Sequence, residues 1–379
     1  MPIKIIDYEE EHEPRIRELN QRVCSSGMRF PEHHRSQWLP PTPGLSLWQQ
    51  YFVAIDSGHE LRGAYILKHQ EFLLNGQSTN IGDYQLPLSE GIVNRAHALV
   101  GVHLYQHAIK RQPLLYGLGV GSLQEPIARM FTALKWKCAT IPFYFQIEHG
   151  ARCLRELSPV RRSVASRLAA NMIAGSGLGS FGFSLVHWSR DRHRTSADVT
   201  TELIETFGDW ADDIFHKHSQ PYRLIAIRNR LVLNHLYTHR SSPGAHSGSA
   251  KSPFLRVLVC RKGEPIGWAV LLATQMENHK YFGNLRVGTI VDLFAGADDA
   301  VDVVTSARSV LRDHRVDLIL TNQSHRIWTS AFARSGFLKG PSNFFLFASP
   351  VLASQLVPFD EAIASSHFTR GDGDGPINL

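Results

Sequence analysis

Two spacings of apolar residues alternate along this chain, and both recur in the same order in its two halves. Residues 51–70 form two apolar runs that meet at a polar turn, and residues 255–274 repeat that arrangement. Each turn, at residues 57–60 and 261–264, contains the glycine that tight hairpin turns favour. The pattern therefore predicts a β-hairpin in each half. Third strands follow at residues 77–88, after the hairpin signal Asn75-Gly76, and at 285–294.

Helical spacing occurs on both sides of each hairpin. Residues 13–26 and 206–219 predict a helix before it, and residues 94–111 and 299–314 predict one after the third strand, because apolar residues there recur at three- and four-residue steps. Each half then closes with a short apolar strand, a helix and a last strand. Antiparallel strands followed by a strand–helix–strand crossover predict an α+β fold, with a mixed, mostly antiparallel sheet flanked by helices.

The repeated order indicates an internal duplication, which favours two similar domains. The halves align at offsets of 201 to 204 residues through four pairs: Gly63 with Gly267, Leu115 with Leu318, Trp136 with Phe337, and Tyr144 with Phe345. We therefore expect domains at residues 1–150 and 181–356, a helical linker at 151–180 and a C-terminal tail at 357–379.

Composition narrows the class of protein. The chain has 379 residues, of which 43% are hydrophobic and 20% charged, and it lacks the run of roughly 20 apolar residues that a membrane span needs. An early acidic N-terminus and four scattered cysteines favour a cytoplasmic protein without a signal peptide or disulfides. The net charge of +6 comes without a dense basic run. It suits an anionic small ligand and makes nucleic acid an unlikely partner.

Several segments carry a resemblance to a known family. They are residues 263–272 (GEPIGWAVLL), 86–101 (LPLSEGIVNRAHALVG), 115–122 (LYGLGVGS), 142–147 (PFYFQI) and 369–379 (TRGDGDGPINL). With the element order, they resemble GCN5-related N-acetyltransferases (GNAT) in tandem. The architecture is similar to that of FemAB-type aminoacyl transferases and N-myristoyltransferases. The segments themselves resemble bacterial proteins associated with exopolysaccharide or envelope pathways.

The resemblance implies that acyl-CoA lies where the third strand and the crossover strand separate, with its pyrophosphate at a helix start. In the first half, the residues that would bind it are Arg95, Leu99, Val100, Gly101, Gly119 and Gly121. In the second half, Asp298 and Asp299 occupy the corresponding first helical turn and would repel a pyrophosphate. The first half is therefore the expected CoA site.

Acyl transfer needs a base for the acceptor, and the candidates are Asp83, Glu90 and Asp292. Asp292 lies between apolar neighbours and would be costly to bury without a partner. Glu90 also fits a helix-start charge. Asn322 fits the mouth of the strand opening or the cap of the next helix.

The family often places a tyrosine proton donor at the positions held here by Phe131 and Phe332, and phenylalanine cannot donate. The tail, with Asp372 and Asp374, is an incomplete calcium loop. It is either disordered or folds back over the cleft. The histidine clusters lack the pattern of a metal site, so no metal is expected.

The leading interpretation is an acyltransferase that moves an acyl group from acyl-CoA to an amine or hydroxyl of a small acceptor such as a sugar, nucleotide sugar or amino acid. One alternative is a FemAB-like aminoacyl transferase that uses charged tRNA. Another is a non-catalytic scaffold or ligand-binding protein that has kept the fold.

Overall fold

The computed structural model describes residues 2–32, 39–157, 198–237 and 254–373. Residues 158–180 of the predicted helical linker and residues 374–379 of the predicted tail lie outside these residues. Fifteen strands are present in the described part: β1 Ile3–Asp7, β2 Trp48–Asp56, β3 Leu61–Leu74, β4 Gln77–Ser89, β5 Leu115–Val120, β6 Lys137–Thr140, β7 Phe143–Ile147, β8 Val199–Ile204, β9 Leu224–Ala226, β10 Leu255–Arg261, β11 Glu264–Gln275, β12 Arg286–Ala295, β13 Leu318–Asn322, β14 Leu338–Gly340 and β15 Phe345–Ala348.

The helices of the described residues flank these strands. They are α1 Glu13–Arg22, α2 Val100–Arg111, α3 Pro126–Ala133, α4 Gly150–Glu156, α5 Trp210–His218, α6 Arg230–Leu236, α7 Ala300–Asp313, α8 Arg326–Arg334, α9 Pro350–Gln355 and α10 Phe359–Ala364. The predicted hairpins, third strands and α+β class are confirmed. Within residues 94–111, a 3-10 helix, Arg95–His97, comes first, and the α-helix begins only at Val100.

The strands form two mixed sheets. In the first sheet the order is β1-β2-β3-β4-β5-β15-β6, with β9 on the far end of β3; in the second it is β14-β7-β13-β12-β11-β10-β8. The crossover pairs β4–β5 and β12–β13 are parallel, and all other neighbours within the sheets are antiparallel. Each sheet is therefore mixed and mostly antiparallel, as the sequence predicts.

The two sheets exchange strands. β7 follows the first-half helix α3, yet it lies between β13 and β14 of the second sheet, where Tyr144 packs in the core beside Phe332. β15 inserts in turn between β5 and β6 of the first sheet, where Phe347 packs against Phe131. Each sheet thus contains a strand from the other half of the chain. The division at residues 150 and 181 stays a prediction.

The matched glycines Gly63 and Gly267 have the same structural role. Each lies in the second strand of its hairpin, directly beneath a helix. A Cβ atom at Gly63 would lie 2.8 Å from Val100 of α2, and one at Gly267 would lie 2.5 Å from Val303 of α7. Real side chains do not approach so closely, so helix and sheet can pack only over glycine. This shared requirement explains why the duplication is visible in the sequence.

Gly63→Ala and Gly267→Ala are each expected to lower the free energy of unfolding by about 1–3 kcal/mol, because the added methyl group overpacks the helix–sheet contact. Urea denaturation followed by circular dichroism measures this. Gly121→Ala is the control, since a Cβ there would meet no atom within 4 Å. Equal stability of all three variants would contradict the prediction.

Candidate active site

The two central strands of the first sheet separate after a short paired stretch. β4 and β5 pair only at Gly82 with Leu115 and Asp83 with Tyr116. Beyond this point β4 runs on to Ser89 and β5 to Val120. A bulge at Leu86, whose φ is 44°, turns β4 further. We call the opening between residues 84–89 and 117–120 the first slot; no backbone pairing joins its two edges.

The corresponding opening of the second sheet holds part of the C-terminal segment. β12 and β13 pair from Val287 to Thr289 and then separate. Residues 367–372, which we call the C-terminal strap, lie there. Thr369 of the strap bridges Gln323, and the Ser324 amide donates to the Phe368 carbonyl at 3.2 Å. The second opening is therefore occupied by the protein's own chain, and the predicted tail is ordered through Gly373.

A buried arginine anchors the strap. Arg228, 2% exposed, lies between two carboxylates, at 3.0 Å from Asp292 and 2.8 Å from Asp372. The Tyr237 hydroxyl donates to Asp292 at 2.8 Å. Burial disfavours charge on Arg228, but the two carboxylates more than offset it and hold its pKa above the usual range. Asp292 is thus buried and partnered, as its apolar surroundings in the sequence require.

The strap also reaches the foot of the first slot. Lys68, fully buried, donates to the Asp372 carbonyl at 2.5 Å and lies 3.7 Å from the Asp83 carboxylate. Tyr116 donates to the same carbonyl at 2.8 Å, and Gln85 donates to Gly373 at 3.2 Å and Asp83 at 2.7 Å. Two of the predicted acids, Asp83 and Asp292, therefore belong to one buried polar cluster that spans both sheets.

Sequence reasoning did not identify Lys68 or Arg228. Each is the cation that ends an apolar run, at residues 64–68 and 224–228. A cation there cannot be buried without a partner. The reasoning that predicted a partner for Asp292 would therefore also have predicted partners for Lys68 and Arg228.

Glu90 has a different environment. Its carboxylate, on a residue 4% exposed, accepts from Arg22 at 3.1 Å and from Arg62 at 3.0 Å. It opens a 3-10 helix, Glu90–Ile92, in which the Ser89 hydroxyl accepts from the Gly91 amide. Glu90 thus ties the end of β4 to α1 and β3 and makes no contact with the polar cluster. Glu90 is therefore a charge at a helix start, but the helix is this short 3-10 turn, and α2 begins only at Val100.

Asn322 lies at the mouth of the second opening. Its side-chain oxygen accepts from Arg370 of the strap at 3.0 Å. It does not cap the following helix, which is a correction to one of the two expected roles. The cap of α8 is His325, whose Nδ1 accepts from the Ile327 amide at 3.2 Å.

The expected cofactor residues surround the outer end of the first slot. Arg95 is exposed, Leu99 is 69% exposed and Val100 is buried. There is room around two of the glycines: a Cβ at Gly101 would come no closer than 3.8 Å to a neighbour, and one at Gly121 would meet no atom within 4 Å. Gly119 has a left-handed backbone, with a φ of +88°. The first turn of α2 contains no acid, whereas α7 begins next to Asp299, which pairs with Arg261. The helix start at the first slot therefore suits an anion better.

The absence of a tyrosine on α3 and α8 follows from packing. Phe131 stacks on Trp136 at 4.2 Å between ring centroids, and Phe332 stacks on Tyr144 at 5.8 Å. Both rings are fully within their cores. In the described part of the chain no helix is long and apolar enough to cross a membrane, and no group of three potential metal ligands occurs.

Comparisons with known proteins rest on structure. No family model and no curated protein matches the sequence. N-myristoyltransferase from Saccharomyces cerevisiae with bound myristoyl-CoA superposes with a TM-score of 0.53 at 11% identity, over 92% of this chain and 78% of that one. A GCN5-related glucosamine N-acetyltransferase region of a fungal multi-domain β-N-acetylglucosaminidase superposes with a TM-score of 0.50 at 12% identity, over 91% and 38%.

Identities this low bear on the fold alone. Both neighbours are N-acyltransferases by name, and neither comparison bears on a FemAB-like relationship or an envelope pathway. In this chain the superposed fold consists of two sheets, each with a parallel pair that separates. The chain therefore has a GNAT-type fold with two sheets that exchange strands.

Proposed function

We propose that this protein transfers an acyl group from acyl-CoA, bound in the first slot, to an amine or hydroxyl of a small acceptor. The observation that carries the proposal is the contrast between the two openings. The first has unpaired strand edges and an acid-free helix start, whereas the second is occupied by the C-terminal strap. Among the described residues, a pantetheine arm in the second opening would have to displace the strap, whereas no chain segment pairs with the facing strand edges of the first slot.

The residues around this slot suit the parts of acyl-CoA. The backbone groups of residues 84–89 and 117–120 that face the slot can hydrogen-bond the amides of pantetheine, while the opposite edges pair with β3 and β15. The start of α2 and the exposed Arg95 suit the pyrophosphate. At the foot of the slot, we assign Asp83 as the base for the acceptor, with the Lys68 ammonium group 3.7 Å away. Catalysis would come mainly from positioning the thioester and the acceptor.

The primary test is titration of the purified protein with acetyl-CoA and longer acyl-CoAs by calorimetry, followed by detection of free thiol with a panel of amines, amino acids and sugars. Saturable binding with acceptor-dependent thiol release supports the proposal. Binding without release across the panel would favour a ligand-binding scaffold. No binding of any CoA ester would overturn the proposal.

Gly101→Asp is expected to raise the Kd for CoA by about tenfold, because it places a carboxylate in the first turn of α2, where the helix dipole attracts an anion. Asp298→Asn, at the start of α7, is the matched control and should leave the Kd unchanged. An unchanged Kd in Gly101→Asp together with a lower Kd in Asp298→Asn would instead assign CoA to the second half, because the substitution at Asp298 removes a repelling carboxylate. Calorimetry on both variants distinguishes the two outcomes.

A further inference from the structure

Exposed apolar side chains are concentrated at the outer end of the first slot. In the described part of the chain ten large apolar side chains are strongly exposed, and five of them, between 37% and 69% exposed, are Leu86, Ile92, Val93, Leu99 and Leu123. All five come after the point where β4 and β5 separate, either in β4 or in the loops that follow these two strands. Soluble proteins rarely group exposed apolar side chains in this way unless the surface binds a partner.

These side chains lie on two loops that form the mouth of the slot. β4 and β5 are parallel, so both strands end at the same edge of the sheet. The first loop, residues 90–99, which we call the first lip, is compact, because a Cβ at Gly91 would lie 2.6 Å from the His97 carbonyl oxygen and 2.8 Å from Cα of Ala98. The second lip, residues 121–125, leads into α3. A molecule that sends an arm into the slot from this edge meets both lips.

The mouth is also poor in acidic residues. Residues 91–124 contain no Asp or Glu, although the chain has 34 of them. Each lip has an exposed arginine: Arg95 belongs to the first, and Arg129 donates to a side chain of the second at 3.1 Å. Glu90 is buried between two arginines, which leaves Glu125 as the exposed acid of the lips. With the positive end of the α2 dipole, the arginines favour an acidic partner.

The depth of the slot fits a phosphopantetheine arm. The extended chain from Asp83 at the foot to Ser89 at the mouth spans about 20 Å, which is similar to the length of such an arm. A thioester at the foot therefore leaves the phosphate beside the start of α2, where a Cβ at Gly101 would lie 3.8 Å from Cβ of Ser89. In CoA this phosphate continues into a nucleotide, which is small enough for one lip. In an acyl carrier protein it continues into a folded protein, which has to rest on both lips.

We propose that the two lips are the docking surface for a small acidic carrier protein that presents the acyl group as a thioester on its phosphopantetheine arm. The inference rests on the proposed function, because the slot and the thioester are the same, and it adds a protein-borne donor to acyl-CoA. In the transfer step the acceptor nitrogen or oxygen bonds to the thioester carbonyl carbon and the C–S bond breaks. The proton of the acceptor ends on the sulfur, so the carrier leaves with a free thiol.

Val93→Glu and Leu123→Glu, one on each lip, test the inference. The probe is a purified acyl carrier protein with an acetylated phosphopantetheine arm, and calorimetry measures its Kd and that of acetyl-CoA. Each variant should raise the Kd of the carrier by about tenfold or more, because it removes an apolar contact and repels an acidic partner. The Kd of acetyl-CoA should stay unchanged. Leu231→Glu is the matched control, since Leu231 is 56% exposed on α6 and should affect neither ligand.

Charge gives a second readout. Val93→Lys removes the same apolar side chain but adds a cation, so it should raise the Kd of the carrier less than Val93→Glu does. Carrier binding to the wild type should weaken by about tenfold between about 50 and 300 mM salt, because salt screens the arginines of the lips. Arg129→Ala should reduce this salt dependence.

The possible failures are distinguishable. A wild-type protein that binds acetyl-CoA but not the acetylated carrier would overturn the docking surface and leave the proposed function intact. Equal losses for carrier and CoA in the lip variants would also overturn it, by assigning the lips to the nucleotide. Binding to phosphatidylglycerol vesicles that both lip variants lose, without carrier binding, would overturn it in favour of a membrane surface. Binding of neither CoA nor carrier would overturn both proposals.

Discussion

Arg228→Met is expected to lower the free energy of unfolding by about 3–5 kcal/mol, because it leaves two buried carboxylates without their counterion. Asp292 is 0% exposed and Asp372 is 1% exposed, so water cannot replace the lost partner. Asp372 is in the C-terminal strap. The variant should therefore also release the strap from the second opening. Urea denaturation at pH 7 measures the loss, and limited proteolysis near residue 370 reports the release.

Arg230→Ala is the matched control for this prediction. Arg230 lies two residues away and pairs with Asp209 and Asp212, but its side chain is 46% exposed. Surface pairs of this kind contribute about 0–1 kcal/mol. Adding Asp292→Asn and Asp372→Asn to Arg228→Met should recover part of the stability by removing the unpaired charges. A loss in Arg228→Met no larger than that in Arg230→Ala would contradict the structural role of the cluster.

Acid is expected to destabilise the protein strongly between about pH 6.5 and pH 4. Burial lowers the pKa of His69 and of His325 to about 4, with smaller contributions from Arg111 and Arg326. The unfolded chain therefore takes up these protons first, near pH 6.5. Stability is complete above that pH and falls as pH decreases through this window. Each histidine accounts for about 3 kcal/mol at pH 4.

The second opening is the expected point of failure. The His325 ring packs at a tilt against Tyr222, with centroids 4.3 Å apart, and His367 of the strap packs edge-on against the same ring at 5.5 Å. Burial also lowers the pKa of His367 well below its usual value. Protonation of both His325 and His367 would place two positive charges close together, and we expect their repulsion to separate the strap from α8. We expect proteolysis of the strap to begin at a higher pH than global unfolding.

Urea denaturation at pH 7, 5.5 and 4.5 measures the pH slope, and His325→Asn should reduce it while keeping a residue suited to the α8 cap. The exposed His59 provides the control. Its φ of 64° is one that asparagine tolerates, so His59→Asn should leave stability and slope unchanged. Identical slopes in the wild type and His325→Asn would show that this histidine is not the titrating group.

Parts of the candidate site were visible in the sequence because they depend on local rules. Asp292 could be predicted to need a partner, since its neighbours are apolar. Asp298 and Asp299 could be predicted to make a poor anion site, since acids already occupy that helix start. The partners themselves could not be found in this way. Asp292 meets Arg228 and Asp372 from segments 64 and 80 residues away, and no local pattern encodes such a meeting.

By itself, the sequence determined the element order, the duplication and the α+β class, because strand and helix periods and the packing glycines Gly63 and Gly267 act over a few residues. Only the tertiary structure decided that the last strands exchange sheets, since an apolar strand such as β15 has the same pattern whichever edge it joins. It also decided that the strap closes one opening and leaves the other unpaired. That difference depends on backbone pairing and on buried ion pairs between distant segments. These groups meet only when the whole chain is folded.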